Sequence, residues 1–244
     1  HTHMPMTLFR NYADDLPLFE WLNDMIWPAE AKMGPEDAYW GTMLAMAESI
    51  RGGVTCFSDM YFFMEEIAQA ALDSGIRAYL GRAVVSHDDD GASTIAQVRE
   101  IFEEYHGEDD NRLLAMVAPH APYTCNVRTL EKVIRLSEDL DVGIHTHLSE
   151  TKQEVEESLD KWGKTPIKHV HDLGLFDRPT VAAHCVHVTD EDLDIFVQKG
   201  VSVAHNPTSN LKLASGFAPL EKMLDLGINV ALGTDGASSN NNLN

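Results

Sequence analysis

Cysteine is scarce in this 244-residue chain: Cys56, Cys125 and Cys185 stand far apart and form no C-x-x-C pair. That disfavours both a disulfide framework and a thiolate zinc cluster, and places the chain in a reducing cytoplasm. Long apolar runs are absent too, and none approaches the roughly 20 residues that span a bilayer. Basic residues are few, with 18 Lys and Arg against 39 Asp and Glu, so the net charge is −21. A surface that acidic repels phosphate backbones and argues against nucleic acid or anionic membrane as a partner. No glycine-rich phosphate turn follows a first strand, because Arg51-Gly52-Gly53 comes before one. This weighs against a doubly wound dinucleotide fold and against a phosphate-binding barrel enzyme. What remains, 44% hydrophobic with 8% aromatic, is ordinary globular composition.

Short β-branched runs alternate with longer segments of helical period, the signature of βα units around a parallel sheet. Strands are expected at 54–58, 78–85, 113–118, 142–147, 180–184, 201–205 and 229–233. Amphipathic helices are expected at 35–51, 65–74, 94–105, 127–139, 151–162, 190–199 and 219–225, with Gly75, Gly200 and Gly227 closing three of them. No linker or change of composition interrupts the pattern, so one domain over 1–244 is expected. An eighth strand just upstream of His1 would complete an α/β fold of the TIM-type (β/α)8 barrel kind. The chain opens on His1-Thr2-His3 and stops at Asn240-Asn241-Asn242-Leu243-Asn244, which reads as a barrel incomplete at both ends.

In such a barrel the chemistry sits at the C-terminal ends of the strands. His120, His147, His184 and His205 all fall at or just beyond expected strand ends, and Asp235 follows the last strand. His1 and His3, two residues apart, point to one side of a strand and could share a metal; a chance pair or a tag remnant is the alternative. His145 lies inside its strand and reads as a packing residue, while His169 and His171 lie on a helix and read as surface residues. His205 reads as support for Asp235 or a neighbouring loop. Cys185, beside His184, points away from the mouth by alternation. Three imidazoles and a carboxylate suit zinc or another borderline divalent ion, with a position left open for water.

Five ordered stations carry a resemblance: His1-Thr2-His3, His147-Leu148-Ser149-Glu150-Thr151, Ala183-His184-Cys185-Val186-His187, Ser202-Val203-Ala204-His205-Asn206-Pro207 and Gly233-Thr234-Asp235-Gly236. They resemble the amidohydrolase superfamily. Within it, Trp21-Leu22, Ile26-Trp27-Pro28-Ala29-Glu30 and Asn206-Pro207-Thr208-Ser209-Asn210-Leu211-Lys212-Leu213 are similar to the 5-methylthioadenosine/S-adenosylhomocysteine deaminases. The resemblance implies a barrel that lacks here its first strand and a β-sandwich built from both termini. It implies one divalent metal, zinc or ferrous iron, on His1, His3, His147 and Asp235. Glu150 would carry a proton from water to the ring, and His184 would orient the reacting centre beside Asp235. Glu30 would bind ribose hydroxyls, Arg82 and His120 would face the base or tail, and Ser239 would line the pocket. The implied activity is deamination of methylthioadenosine, S-adenosylhomocysteine or adenosine. The stretch Asp88-Asp89-Asp90 lacks the arginine that meets a homocysteine carboxylate in the family, which favours the first and last of these substrates. Deamination or dechlorination of guanine, a pterin or an s-triazine is the rival, and a non-catalytic metal-binding barrel the second; a homo-oligomer is left open.

Overall fold

The computed structural model describes residues 1–86, 89 and 91–243. His87 and the Asp88 and Asp90 of the acidic stretch lie outside the described residues. Among the described residues nine parallel strands form one sheet: β1 Thr2–His3, β2 Cys56–Tyr61, β3 Arg77–Val84, β4 Leu113–Pro119, β5 Ile144–Leu148, β6 Thr180–His184, β7 Ser202–His205, β8 Val230–Leu232 and β9 Asp235–Gly236. Their order, β8-β7-β6-β5-β4-β3-β2-β1-β9, follows the chain except at its last member. β8 sets Val230, Ala231 and Leu232 opposite Val203, Ala204 and His205 of β7. After Gly233 and Thr234 the same run continues as β9, with Asp235 opposite Thr2. One stretch thus pairs with β7 by its first half and with β1 by its second, which closes the ring. The strand expected upstream of His1 is not needed for closure, because Thr2–His3, downstream of His1, takes that place in the ring.

The principal helices cover this ring from outside: α1 Pro35–Arg51, α2 Met64–Ser74, α3 Ala92–Tyr105, α4 Val127–Leu140, α5 Lys152–Trp162, α6 Asp190–Lys199 and α7 Leu220–Asp225. Their starts follow capping chemistry, since Asn126, Thr151 and Thr189 each accept a backbone N–H from the first turn. Gly75, Gly200 and Gly227 take φ of 76°, 65° and 73°, the left-handed turn that ends a helix at little cost to glycine. Strand alternation divides the interior. Ala78, Leu80 and Val84 of β3 join the apolar layer under the helices, whereas Ala83 lines a cavity at the barrel mouth. Among the described residues no helix is long and apolar enough to cross a membrane.

One expectation changes here and another holds. His169 is not on the surface: it is buried and its ring stacks on Trp162 at 3.9 Å, an apolar cover for the start of the short helix Pro166–Asp172. Cys185 does point away from the mouth, into the core with Leu193 and Phe196.

Gly81 is required by close approach. A Cβ there would lie 2.8 Å from the carbonyl oxygen of Asp59 and 2.9 Å from the Cβ of Ala118. Gly81→Ala is therefore expected to destabilise the fold by about 1–3 kcal/mol through overpacking. Urea unfolding checks this, and an unchanged midpoint would contradict it.

Candidate active site

At the strand ends the chain leaves its ladder by turning left-handed. Ser149, His184, Cys185 and Asp235 take φ of 51°, 73°, 48° and 58°, rare values for residues with a side chain. Strain of this kind collects where side-chain aim outweighs backbone comfort. It turns Glu150, His184 and Asp235 inward to a cavity that also takes His3, Glu30, His120 and His147 into its wall.

Five donor groups converge at its floor. One ligating atom each from His1, His147, His184 and Asp235 lie within 4.8 Å of one another. His3 belongs beside them, its Nε2 being 3.1 Å from Asp235 Oδ1 and 3.4 Å from His147 Nε2. The remaining ring nitrogens fix which atoms are free to bind. His147 Nδ1 donates to the carbonyl of His120 at 2.7 Å, and His3 Nδ1 to that of Met60 at 2.5 Å, so the lone pairs sit on the two facing Nε2 atoms. His1 Nε2 is buried, lies 3.4 Å from Asp235 Oδ1 and has no hydrogen-bond partner. Lone pairs that face one another around a buried carboxylate repel unless a cation lies among them, so the set fits a divalent metal ion.

The titration behaviour agrees. Burial pushes His147 well below the imidazole range, which keeps it neutral and able to ligate. Burial opposes a charge on His3 as well, but the hydrogen bond and charge of Asp235 outweigh it and raise that ring to about 9. That pull toward positive charge at His3 Nε2, 3.1 Å from Asp235 Oδ1, is the pull a bound cation would meet at the same spot.

Above the floor lie the groups suited to proton transfer. Glu150 is buried, its Oε2 is 3.6 Å from His184 Nε2, and its Oε1 accepts the Ser215 hydroxyl at 3.1 Å. Burial raises its proton affinity, with the charge of His184 acting the other way. His184 is oriented from behind by Asn210, whose Oδ1 accepts from Nδ1 at 2.8 Å. In the same cavity wall Glu30 accepts the Tyr61 hydroxyl at 2.5 Å, and burial pushes its carboxyl up to about 7. Trp21 and Leu22 of the π-helical segment Trp21–Ile26, with Trp27, add apolar surface to that wall.

Sequence reasoning placed His1, His3, His147, Glu150, His184 and Asp235 together, and the structure brings them together. His120 lines the cavity, its Nδ1 2.9 Å from Thr124 Oγ1. Arg82, expected to face the base or tail, does not line this cavity: alternation in β3 sends it to the helix layer, where Nε donates to Gln97 at 3.1 Å. Ser239 does not line the pocket. Its buried hydroxyl donates to Asp235 Oδ2 at 2.9 Å, beside the Ser209 hydroxyl at 2.6 Å. Those two hydroxyls hold Asp235, the role expected of His205, whose own Nδ1 is buried without a partner while its carbonyl accepts from Gly233 at 2.8 Å. His145 is more than packing, because its Nε2 lies 2.7 Å from His1 Nδ1 and its Nδ1 lies 3.2 Å from Ser58 Oγ. Asp59 was missed altogether. Fully buried in β2, it accepts the N–H of Met4 and so fixes the chain just after His3. Its one sequence signal is an acid between Phe57 and Met60 in an apolar strand.

Barrel and donor cluster define a class: a (β/α)8 barrel with a metal-type site at the C-terminal rim of its strands. More narrowly, the chain belongs to the Amidohydrolase family, whose sequence profile matches residues 1–244. It is 55% identical over 246 residues to the 5-methylthioadenosine/S-adenosylhomocysteine deaminase of Thermoanaerobacter pseudethanolicus, covering 100% of this chain and 57% of that protein. The chain thus spans little more than half the length of the curated relatives it matches. Among solved structures it resembles a zinc-bound adenosine deaminase from Xanthomonas campestris, with a TM-score of 0.94 and 42% identity over 100% of this chain and 56% of that one. A guanine deaminase from C. acetobutylicum with bound guanine matches at a TM-score of 0.91 and 27% identity, covering 98% of this chain and 60% of that one.

Proposed function

We propose that the protein containing this chain hydrolyses the 6-amino group of an adenine nucleoside, methylthioadenosine, S-adenosylhomocysteine or adenosine, to the inosine analogue and ammonia. The observation that carries this reading is the presence, in the wall of one cavity, of the Glu150–His184 couple beside the donor cluster and of a further buried carboxylate, Glu30. The names of the relatives support it. Under this reading residues 1–244 form the family's barrel, with the rest of the protein lying outside them, and three free cysteines agree with a cytoplasmic setting.

His1, His3, His147 and Asp235 would hold one divalent ion, zinc by analogy with the Xanthomonas protein, with His184 close beside them. When bound, such an ion lowers the pKa of a water and makes it nucleophilic at neutral pH. The chain's own groups then account for the proton movements. Glu150 takes a proton from the attacking water and delivers it to the ring nitrogen next to C6, so that charge does not build on the ring as the C–O bond forms. His184, held by Asn210, steadies the new oxygen at the tetrahedral carbon. The second water proton passes to the amino group, the C–N bond breaks, ammonia departs, and the 6-oxo group remains. Glu30 accepts ribose hydroxyls and sets the ring's distance from Glu150.

Glu30→Gln separates this reading from one in which a free base such as guanine is the substrate. KM for the nucleoside is expected to rise about 10-fold or more at pH 8, since hydrogen bonds to a charged acceptor are worth roughly 1.5–3 kcal/mol. A free base has no hydroxyls to lose, so its KM should stay put. Because burial raises the Glu30 carboxyl to about 7, the group is charged above that pH and neutral below it. The penalty of the substitution should therefore shrink as pH falls through 7. An equal effect on nucleoside and free base would sink the assignment.

A further inference from the structure

Glu154 has no part in these steps, yet it is 2% exposed and makes no ion pair among the described residues. Each of its oxygens accepts a backbone N–H: Oε1 from Ser149 at 2.9 Å and Oε2 from Glu150 at 2.7 Å. Thr151-Lys152-Gln153-Glu154 has the T-x-x-E pattern of a capping box, and Thr151 Oγ1 does accept the N–H of Glu154 at 3.1 Å. In such a box the carboxylate returns to the amide of the capping residue itself. Here it reaches past Thr151 to the two residues before it. One is Ser149, left-handed at φ 51°; the other is Glu150.

We infer that Glu154 is a positioning residue, a two-pronged carboxylate that locks the turn leaving β5 and aims Glu150 at the reacting end of the cavity. The inference rests on reading Glu150 as the proton carrier. A carboxylate with one N–H on each oxygen fixes two successive peptide units, and with them the direction of the Glu150 side chain before substrate arrives. An ordinary helix start would need only Thr151. Burial drives the Glu154 carboxyl up to about 8, against the pull of the Glu150 and Ser149 amides. Glutamine has the same length and one acceptor oxygen, so it keeps one of the two N–H contacts and loses the other, and Glu154→Gln should fold.

In the full-length, metal-loaded protein, Glu154→Gln is expected to lower kcat about 10- to 100-fold, with KM within about threefold and metal content unchanged. Glu154→Ala should lose more, and a thermal melt on each variant confirms folding. Because Glu154 acts through Glu150, the double variant Glu150→Gln/Glu154→Gln should be no slower than Glu150→Gln alone. Unchanged kcat for Glu154→Gln, a lowered Tm with full kcat, or additive losses in the double variant would each overturn the inference. Full turnover by Glu150→Gln would instead overturn the reading beneath it.

Discussion

Replacing Glu150 with glutamine should leave the metal in place and reduce kcat by about 10³-fold or more, in line with the roughly 10²–10⁴-fold that positioned general acid–base groups contribute. The glutamine keeps the length of the side chain and can still accept the Ser215 hydroxyl, so folding and metal binding have no reason to change. What it cannot do is take a proton from water and return it to the ring. KM should move little, because the loss is confined to the transition state. Stopped-flow turnover together with metal analysis of the same sample checks this. Turnover at the wild-type rate would remove Glu150 from the chemistry and leave its buried contact with His184 without a role.

Stripping the metal should abolish turnover, and restoring zinc should recover it. The same treatment should lower Tm, because a ligand that binds only the folded state stabilises it by mass action. Individual ligands can be told apart. His3 and His184 both approach the cluster, but His184 Nε2 is 4.0 Å from Asp235 and faces Glu150, whereas His3 Nε2 is 3.1 Å from Asp235. His3→Ala is therefore expected to weaken metal affinity by more than the 10- to 100-fold typical of outer-sphere changes, as measured by chelator competition. His184→Ala should hold its metal and lose kcat. Full metal loss in His184→Ala would move that residue into the ligand set.

The barrel was legible because its period is local. Apolar runs such as 113–118 and amphipathic stretches such as 127–139 carry their own signal, and the observed β4 and α4 match them within a residue. β1 and β9 were not legible, since each is a two-residue strand held by its partner across the closure and shows no period. Metal and proton-transfer residues were visible as histidines and acids recurring at strand ends. Their supports were not: Ser209 reaches Asp235 across 26 residues, Ser215 reaches Glu150 across 65, and nothing near either serine announces it. Arg82 and Ser239 have suitable chemistry but do not line the cavity, each for its own reason. Arg82 sits on the face of β3 turned to the helix layer, whereas Ser239 sits on the short helix Ala237–Asn240 and turns its hydroxyl back to Asp235.

The most direct test of the central claim is ammonia release by metal-analysed, full-length protein offered methylthioadenosine, S-adenosylhomocysteine, adenosine and guanine in turn. The expected result is stoichiometric ammonia and the matching inosine analogue from the adenine nucleosides, dependent on metal and on Glu150. A metal-replete protein that left the adenine absorbance of all three nucleosides unchanged would contradict it.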